Sequence, residues 1–382
     1  MITFTPGVGM RIAQVSPLHE SVPPKLYGGT ERVVSFLTEA LVDLGHDVTL
    51  FASGDSVTRA RLVPCAPRAL RLDERCRDPL AHHLAMLEEV FSRAAEFDVI
   101  HFHLDYLSFP EARHCRVPHV ATMHNRMDLP DLQPLFRAFA DVPLVSISDA
   151  QRAPLPFANW CGTVYHGLPL DLYPFQPNAG RYLAFLGRVS PEKGVHHAVE
   201  IARRLGLPLK VAAKIDDRDR GFYEHQLKPL FAEAHVDFLG EIGEADKGTF
   251  LGDAAALLFP IDWPEPFGLV MIEAMACGTP VVAFRRGAVP EVMRDGVSGY
   301  VVDTVDSAVE ATASALQLPR KRCRAYFEGR FSAPRMANDY VAVYKRLVAA
   351  GTTGGRQHRR LGLVPVDASD PGVEPEAGLE TA

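Results

Sequence analysis

Short apolar runs alternate along the chain with stretches whose apolar residues recur at helical spacing, and the alternation happens twice. From Met10, MRIAQVSP reads as a buried strand. ERVVSFLTEALVDLG then carries Val33, Val34, Leu37, Leu41 and Leu44 at helical spacing, and HDVTLFAS is the next strand. Gly45 stands where a helix C-terminal cap is expected. Further on, FDVIHFH, PHVATMHN and PLVSISD read as strands that each finish in polar residues, and in a parallel sheet that edge is where ligands bind. A second alternation begins near residue 180. There YLAFLG, LPLKVAAK, VDFLG, AALLFP, TPVVAF and SGYVVD read as strands, separated by helical segments such as VHHAVEIARRLG and FGLVMIEAMACG. This pattern over both halves predicts an α/β protein of two doubly wound parallel-sheet domains.

The chain has 382 residues, about two domains' worth at ~150 residues each. The expected layout is a leader over residues 1–9, a first domain over 10–170, a Pro- and Gly-rich linker over 171–180 and a second domain over 181–330. A helix over 331–350, read from APRMANDYVAVYKRLVAA, is expected to pack back on the first domain. From residue 351 the composition turns to Gly, Pro and acids, so 351–382 reads as a disordered tail. Met10 is an alternative start to Met1.

Composition removes several classes of function. The chain is 47% apolar and 23% charged, the profile of a globular protein with ample core. A formal charge of -7 sets up no field for nucleic acid, and no local basic patch supplies one. No apolar run approaches the ~20 residues of a membrane helix, and no signal-peptide pattern opens the chain, so a cytoplasmic protein without a transmembrane segment is expected. Six cysteines are scattered without a C-x-x-C pair, which argues against a zinc site and a disulfide framework. His101 and His103 share one strand face. With no acid-and-His helix motif nearby, they read as satisfied strand-end residues rather than metal ligands.

Three stretches carry candidate chemistry. In YGGTE, Tyr27 to Glu31, Gly28 and Gly29 let backbone N–H groups approach an anion at a helix N-terminus, although a loop that needs glycine merely to turn fits the same residues. GRVSPEKG, residues 187–194, offers Arg188 and Lys193 in a loop stiffened by Pro191, either a diphosphate clamp or a solvated loop. DWPEPFGLVMIEAMACGTPVVAF, residues 262–284, sets Glu265 and Glu273 in an almost wholly apolar segment. Carboxylates are costly to bury alone, so each needs a partner, and a ligand can be one. On a continuous helix the two acids would lie ~80° apart around the axis and ~12 Å along it. That is too far to share a proton, and suited to touching different hydroxyls of one extended ligand. The helix N-terminus at Phe267 and Gly268 favours a phosphate.

Taken in order along residues 10–350, these stretches resemble the retaining, nucleotide-sugar-dependent glycosyltransferases of family 4 (glycosyl transferases group 1). The two-glycine loop, the Arg188 and Lys193 pair, the E-x7-E segment, MACGTPVVAF, PEVMRDGVSGYVV and the His124 strand end in ATMHN carry the resemblance. It implies the GT-B fold, two Rossmann-like domains facing a central cleft. It also implies that Arg188 and Lys193 hold the donor diphosphate, Glu265 the donor sugar hydroxyls and Glu273 the ribose. The backbone of Phe267, Gly268, Leu269 and Val270 would meet sugar and phosphate, His124 would lie beside the transferring sugar, and Gly28 and Gly29 near the phosphates. The expected catalytic set is Glu265, His124, Arg188 and Lys193. In the implied reaction the acceptor hydroxyl attacks from the face the nucleoside diphosphate leaves, a phosphate oxygen takes the proton, and configuration is retained. Cations and helix N-termini meet the charge of the leaving group, so neither metal nor other cofactor is expected.

The chain departs from the family pattern at VAAKIDD, which replaces a glycine-rich strand end. Lys214 there reads equally as a third phosphate contact and as a surface lysine. The same turn holds Asp217-Arg218-Asp219, a D-x-D pattern that elsewhere binds metal; set in a charge run after a strand, it reads as a solvated loop. A sugar-nucleotide epimerase, a sugar phosphorylase and an inactive nucleotide-binding protein are the alternatives. The first needs further acid-base carboxylates, the second a pyridoxal-phosphate lysine in a longer chain, and the third has no use for the Arg188, Lys193, Glu265 and Glu273 set. A UDP-sugar is the expected donor, with GDP-mannose next. The acceptor is a sugar, a lipid-linked molecule or another small molecule, and peripheral membrane contact stays open.

Overall fold

The computed structural model describes residues 9–25, 28–178 and 180–353, the last three by backbone alone. Tyr27, the expected leader apart from Gly9, and the expected tail beyond 353 lie outside the described residues. The first sheet is built from β1 (Arg11–Val15), β2 (Asp47–Ser53), β3 (Arg61–Ala66), β4 (Val99–Phe102), β5 (His119–Thr122), β6 (Leu144–Ser146) and β7 (Trp160–Thr163), in the order β3-β2-β1-β4-β5-β6-β7. The second is built from β8 (Tyr182–Arg188), β9 (Leu209–Lys214), β10 (Val236–Gly240), β11 (Ala254–Phe259), β12 (Val281–Phe284) and β13 (Gly299–Val302), in the order β10-β9-β8-β11-β12-β13. Neighbouring strands pair in parallel, for example Ile12 with Val48 and Val99, and Ala184 with Lys210. Helices cover both faces, so central strands are apolar throughout; every residue of β11, AAALLF, is buried.

Two strands escape the apolar pattern. β3 is an edge strand with mixed exposure and holds Pro64, tolerable where no neighbour needs its missing N–H; β7, WCGT, is half-buried along its length.

Helix Gly29–Asp43 buries Val33, Val34, Leu37 and Leu41, at ~1.5–3 kcal/mol for each large side chain removed from water. Gly45, at φ 83°, follows its end and donates its N–H to the Val42 carbonyl at 2.9 Å. The first turn is less amphipathic than its sequence suggests, because Glu31 and Arg32 are buried as well. Helix Ala333–Thr353 runs past Ala350, and its Met336, Ala337, Tyr340 and Tyr344 join one buried cluster with Val33 and Leu37 of the first half. Among the described residues no helix is long and apolar enough to cross a membrane.

Strand order reverses between β1 and β4 in one sheet and between β8 and β11 in the other. Loops leaving such strand pairs diverge and open a crevice at their C-terminal ends. The two crevices face each other.

Candidate active site

A cavity of about 840 Å³ fills that space. Pro17, His19 and His103 reach it from the first switch point, and Arg188 and Phe259 from the second. Of the residues expected in a site, Gly28, Gly29, His124, Arg188, Lys193, Glu265, Phe267, Gly268, Leu269 and Val270 all line it.

Lys193 Nζ donates to Glu265 Oε2 at 2.5 Å and stands 4.6 Å from the centre of the Trp263 ring, whose Nε1 donates to the same carboxylate oxygen at 2.9 Å. Glu265 thus has protein partners that orient it. It lies before the helix, as expected, but the helix begins at Leu269 rather than Phe267, Gly268 before it takes φ 82°, and the helical separation from Glu273 does not apply. That left-handed backbone favours glycine, and Glu265 belongs to the preceding turn.

Arg188 is the last residue of β8, not part of the loop after it, and pairs in register with Lys214 at the end of β9. Its Nη2 donates to Glu192 Oε1 at 2.8 Å, while its Nε lies 3.5 Å from Asp219 Oδ2 and 3.8 Å from Asp216 Oδ2. Asp219 therefore contradicts the solvated-loop expectation: Asp217 is exposed, but the Asp219 side chain is only 15% exposed and turned to Arg188. Lys214 Nζ lies 3.1 Å from Asp216, outside the cavity lining.

Glu273 also lies outside that lining, its side chain 4% exposed. Lys247 Nζ donates to its Oε1 at 2.9 Å and the Tyr173 hydroxyl approaches the same oxygen at 3.5 Å. Tyr173 and Arg32 both bond Glu244, so the second acid of the E-x7-E segment ends a network that reaches across to helix Gly29–Asp43.

The opposing wall holds residues that motif reading missed. His103 Nδ1 lies 2.9 Å from His124 Nε2, and the His124 ring stacks on His166 at 5.5 Å and 15°. Asp105, held at φ 49°, accepts from the His124 backbone N–H at 3.3 Å and from Asn125 Nδ2 at 2.5 Å. Burial drives His124 down to about 3 and His103 and His166 well below their ordinary value, so these rings are neutral. Burial also pushes the Glu31 carboxyl up to about 7, and Glu31 lines the same cavity. Only the polar strand ends hinted at these positions. A β-carbon on Gly29 would lie 3.7 Å from Leu269 Cδ1, so the two walls nearly touch at the two-glycine loop.

Comparison with known proteins agrees with this geometry. Residues 27–160 match the family "Glycosyltransferase Family 4", and residues 175–330 match "Glycosyl transferases group 1". The chain belongs to the family 4, group 1 glycosyltransferases. Among relatives of this glycosyltransferase, the phosphatidyl-myo-inositol mannosyltransferase of Mycolicibacterium smegmatis is 29% identical over 354 residues, covering 85% of this chain and 88% of the relative. The protein of the same name from Mycobacterium leprae is 27% identical, covering 90% and 98%. A crystal structure of a glycosyltransferase involved in avilamycin A biosynthesis is 25% identical with a TM-score of 0.68, covering 89% of this chain and 98% of that one. The sucrose-phosphate synthase of Thermosynechococcus elongatus, 20% identical, shares the fold with a TM-score of 0.73 over 89% of this chain and all of its own. The two sheets form the GT-B fold of this enzyme.

Proposed function

We propose that this glycosyltransferase moves a hexose from a nucleoside diphosphate sugar to an acceptor hydroxyl, with retention of configuration and without a metal. The observation that carries the reading is the Lys193–Glu265 pair at the N-terminus of helix Leu269–Ala276, in the same cavity as His124 and the two-glycine loop. A diphosphate entering there meets Lys193, the free N–H groups of the helix start and, once it leaves its acids, Arg188. Glu265, held by Trp263 and Lys193, accepts hydrogen bonds from sugar hydroxyls. The acceptor hydroxyl attacks the anomeric carbon on the leaving-group face, the bond to the diphosphate breaks, and the attacking proton passes to a phosphate oxygen. Stabilising the departing charge is then the main task, and fixed cations can perform it. Glu273 meets the ribose only after Lys247 releases it, and Lys214 is a phosphate contact only after it leaves Asp216.

UDP-sugar remains the expected donor class, with GDP-mannose as the second reading, favoured by the mannosyltransferase names of the long-matching relatives. A panel of nucleotide sugars tested for thermal stabilisation, followed by product release with and without EDTA, tests all of this. Absence of stabilisation by any nucleotide sugar rejects the donor class, and loss of turnover on chelation rejects the metal-free step. Anomer-resolved NMR of the product decides retention.

A further inference from the structure

Buried polar side chains form a continuous chain from the cleft to helix Ala333–Thr353. Gln14 on β1 is the member whose two polar atoms differ in kind. Its Nε2 donates to the Tyr344 hydroxyl at 3.1 Å, and its Oε1 lies 2.8 Å from His103 Nε2. A carbonyl oxygen only accepts, so His103 carries its proton on Nε2 and presents a lone pair at Nδ1. His124 Nε2, 2.9 Å from that lone pair, must carry a proton in turn. The same logic runs the other way. Tyr344, accepting from Gln14, gives its proton to His101 Nδ1 at 2.7 Å; His101 Nε2 donates to Thr122 Oγ1 at 2.7 Å; and Thr122 donates to the Tyr340 hydroxyl at 3.0 Å. One amide orientation sets every proton in the series. Because burial keeps the imidazoles neutral, the series controls tautomer rather than charge.

We propose that Tyr344, Gln14 and His103 are positioning residues that hold His124 as its Nε2–H tautomer, so that His124 Nδ1 accepts a hydrogen bond from a hydroxyl of the transferred sugar. The ring lines the cavity, and its Nδ1 has no partner among the described residues. Stacking on His166 and the bond from the His124 N–H to Asp105 fix the ring plane and the backbone, leaving the tautomer as the remaining variable. Tyr344 does this from a helix that follows the second sheet, and so joins the C-terminal segment of the chain to the chemistry of the first wall. The inference rests on the reading of His124 as the residue beside the sugar.

Nitrogen-15 NMR of the histidine-labelled full-length protein, with His124 assigned by comparison with His124→Asn, reads the tautomer directly at neutral pH. The expected result is Nε2–H in the wild type; Nδ1–H overturns the proposal. Tyr344→Phe should give a mixture of His124 tautomers and lower kcat/KM for the nucleotide sugar by about tenfold, the scale of one lost buried hydrogen bond, with the nucleoside diphosphate Kd unchanged. Gln14→Glu keeps an acceptor against His103 and should retain tautomer and most turnover, whereas Gln14→Met should lose both. Full activity in folded Gln14→Met, or equal loss in folded Gln14→Glu, sinks the idea. If Tyr344→Phe does not fold, the wild-type spectrum and the Gln14 pair still decide it. A wild type that turns over no nucleotide sugar rejects the functional reading and the sugar contact with it, while the spectrum separately tests the proton order.

Discussion

The two walls of the cleft follow opposite electrostatic rules. The wall from the second sheet is charged and paired: Arg188 faces Glu192, Asp216 and Asp219, and Lys193 is bonded to Glu265. The wall from the first sheet is rich in titratable groups and yet carries little charge around His124, because burial lowers His103, His124 and His166 and raises Glu31 to about 7; its Arg71, at the rim, is paired with Glu20. The first arrangement suits an anion, since a diphosphate exchanges places with carboxylates instead of drawing bare cations out of water. The second suits hydroxyls, which need oriented donors and acceptors and gain little from net charge.

Glu265→Ala tests this division most severely. Transfer should fall on the order of 10² to 10³-fold, the usual consequence of removing one preorganised polar group from a transition state. Nucleoside diphosphate binding, measured by calorimetry, should hold or tighten, because Lys193 loses its carboxylate partner. Equal loss of both would mean that the charged wall does not separate sugar from phosphate.

A second test addresses the neutral wall. Glu31 has a folded pKa of about 7 against an ordinary 4.5, so the fold favours its protonated form. Its stabilising contribution is complete below about pH 4.5 and is lost as pH rises through 7, a change on the order of 3 kcal/mol. Glu31→Gln should therefore flatten the decline in melting temperature between pH 5 and 8 relative to wild type. The buried histidines act with the opposite sign, losing stability as pH falls below about 6.5, which is why the difference between variant and wild type is the quantity to follow. An unchanged pH profile would show that Glu31 is ionised and that burial does not keep it uncharged beside His124.

Arg188→Ala should weaken nucleoside diphosphate binding by ~2 kcal/mol, the scale of a charge-assisted bond. Asp219→Asn should act the other way, tightening the same Kd by removing one competitor for the guanidinium. If Asp219→Asn weakens binding instead, Asp219 positions Arg188 and does not compete with the ligand.

The difference between the walls also decided what could be read from the chain. The charged wall was legible because its residues cluster in sequence: Arg188 and Lys193 share one short motif, and Glu265 through Val270 one turn and helix start. Even there, the left-handed Gly268 moves the helix start on to Leu269, a shift that no apolar spacing reports. The neutral wall depends on strand order. His103 meets Gln14 and His124 because β4 lies between β1 and β5, and Tyr344 joins them through a helix that returns from the other half. Periodicity identifies the strands without stating which ends become neighbours, so Asp105 and His166 carried no local mark, and His103 and Glu31, though inside noticed stretches, gave no sign of joining the site. The cores of both sheets were readable for the reverse reason, since burial on both faces leaves continuous apolar runs such as β11. Edge strands β3 and β7 lack that constraint and lacked the signal.

The smallest expected effect concerns what holds the walls at their present spacing. Glu291, from the PEVMRDG stretch of the second half, accepts the backbone N–H groups of Asp149 and Ala150 in the first half at 2.8 and 2.7 Å, and the Tyr165 hydroxyl at 3.0 Å. Ser148 Oγ donates to the Pro266 carbonyl beside it at 2.7 Å, next to the turn that carries Glu265. Glu291→Gln keeps the shape but leaves one oxygen to accept where the carboxylate offered two, at a cost of ~1 kcal/mol. The expected outcome is a melting temperature a few degrees lower and a KM for the donor raised several-fold with kcat little changed, because the cleft spends more time open while its chemistry is intact. A fall in kcat at constant KM would instead mean that Glu291 aligns the turn at Glu265 for the reaction itself, and that the charged wall depends on the neutral one for more than proximity.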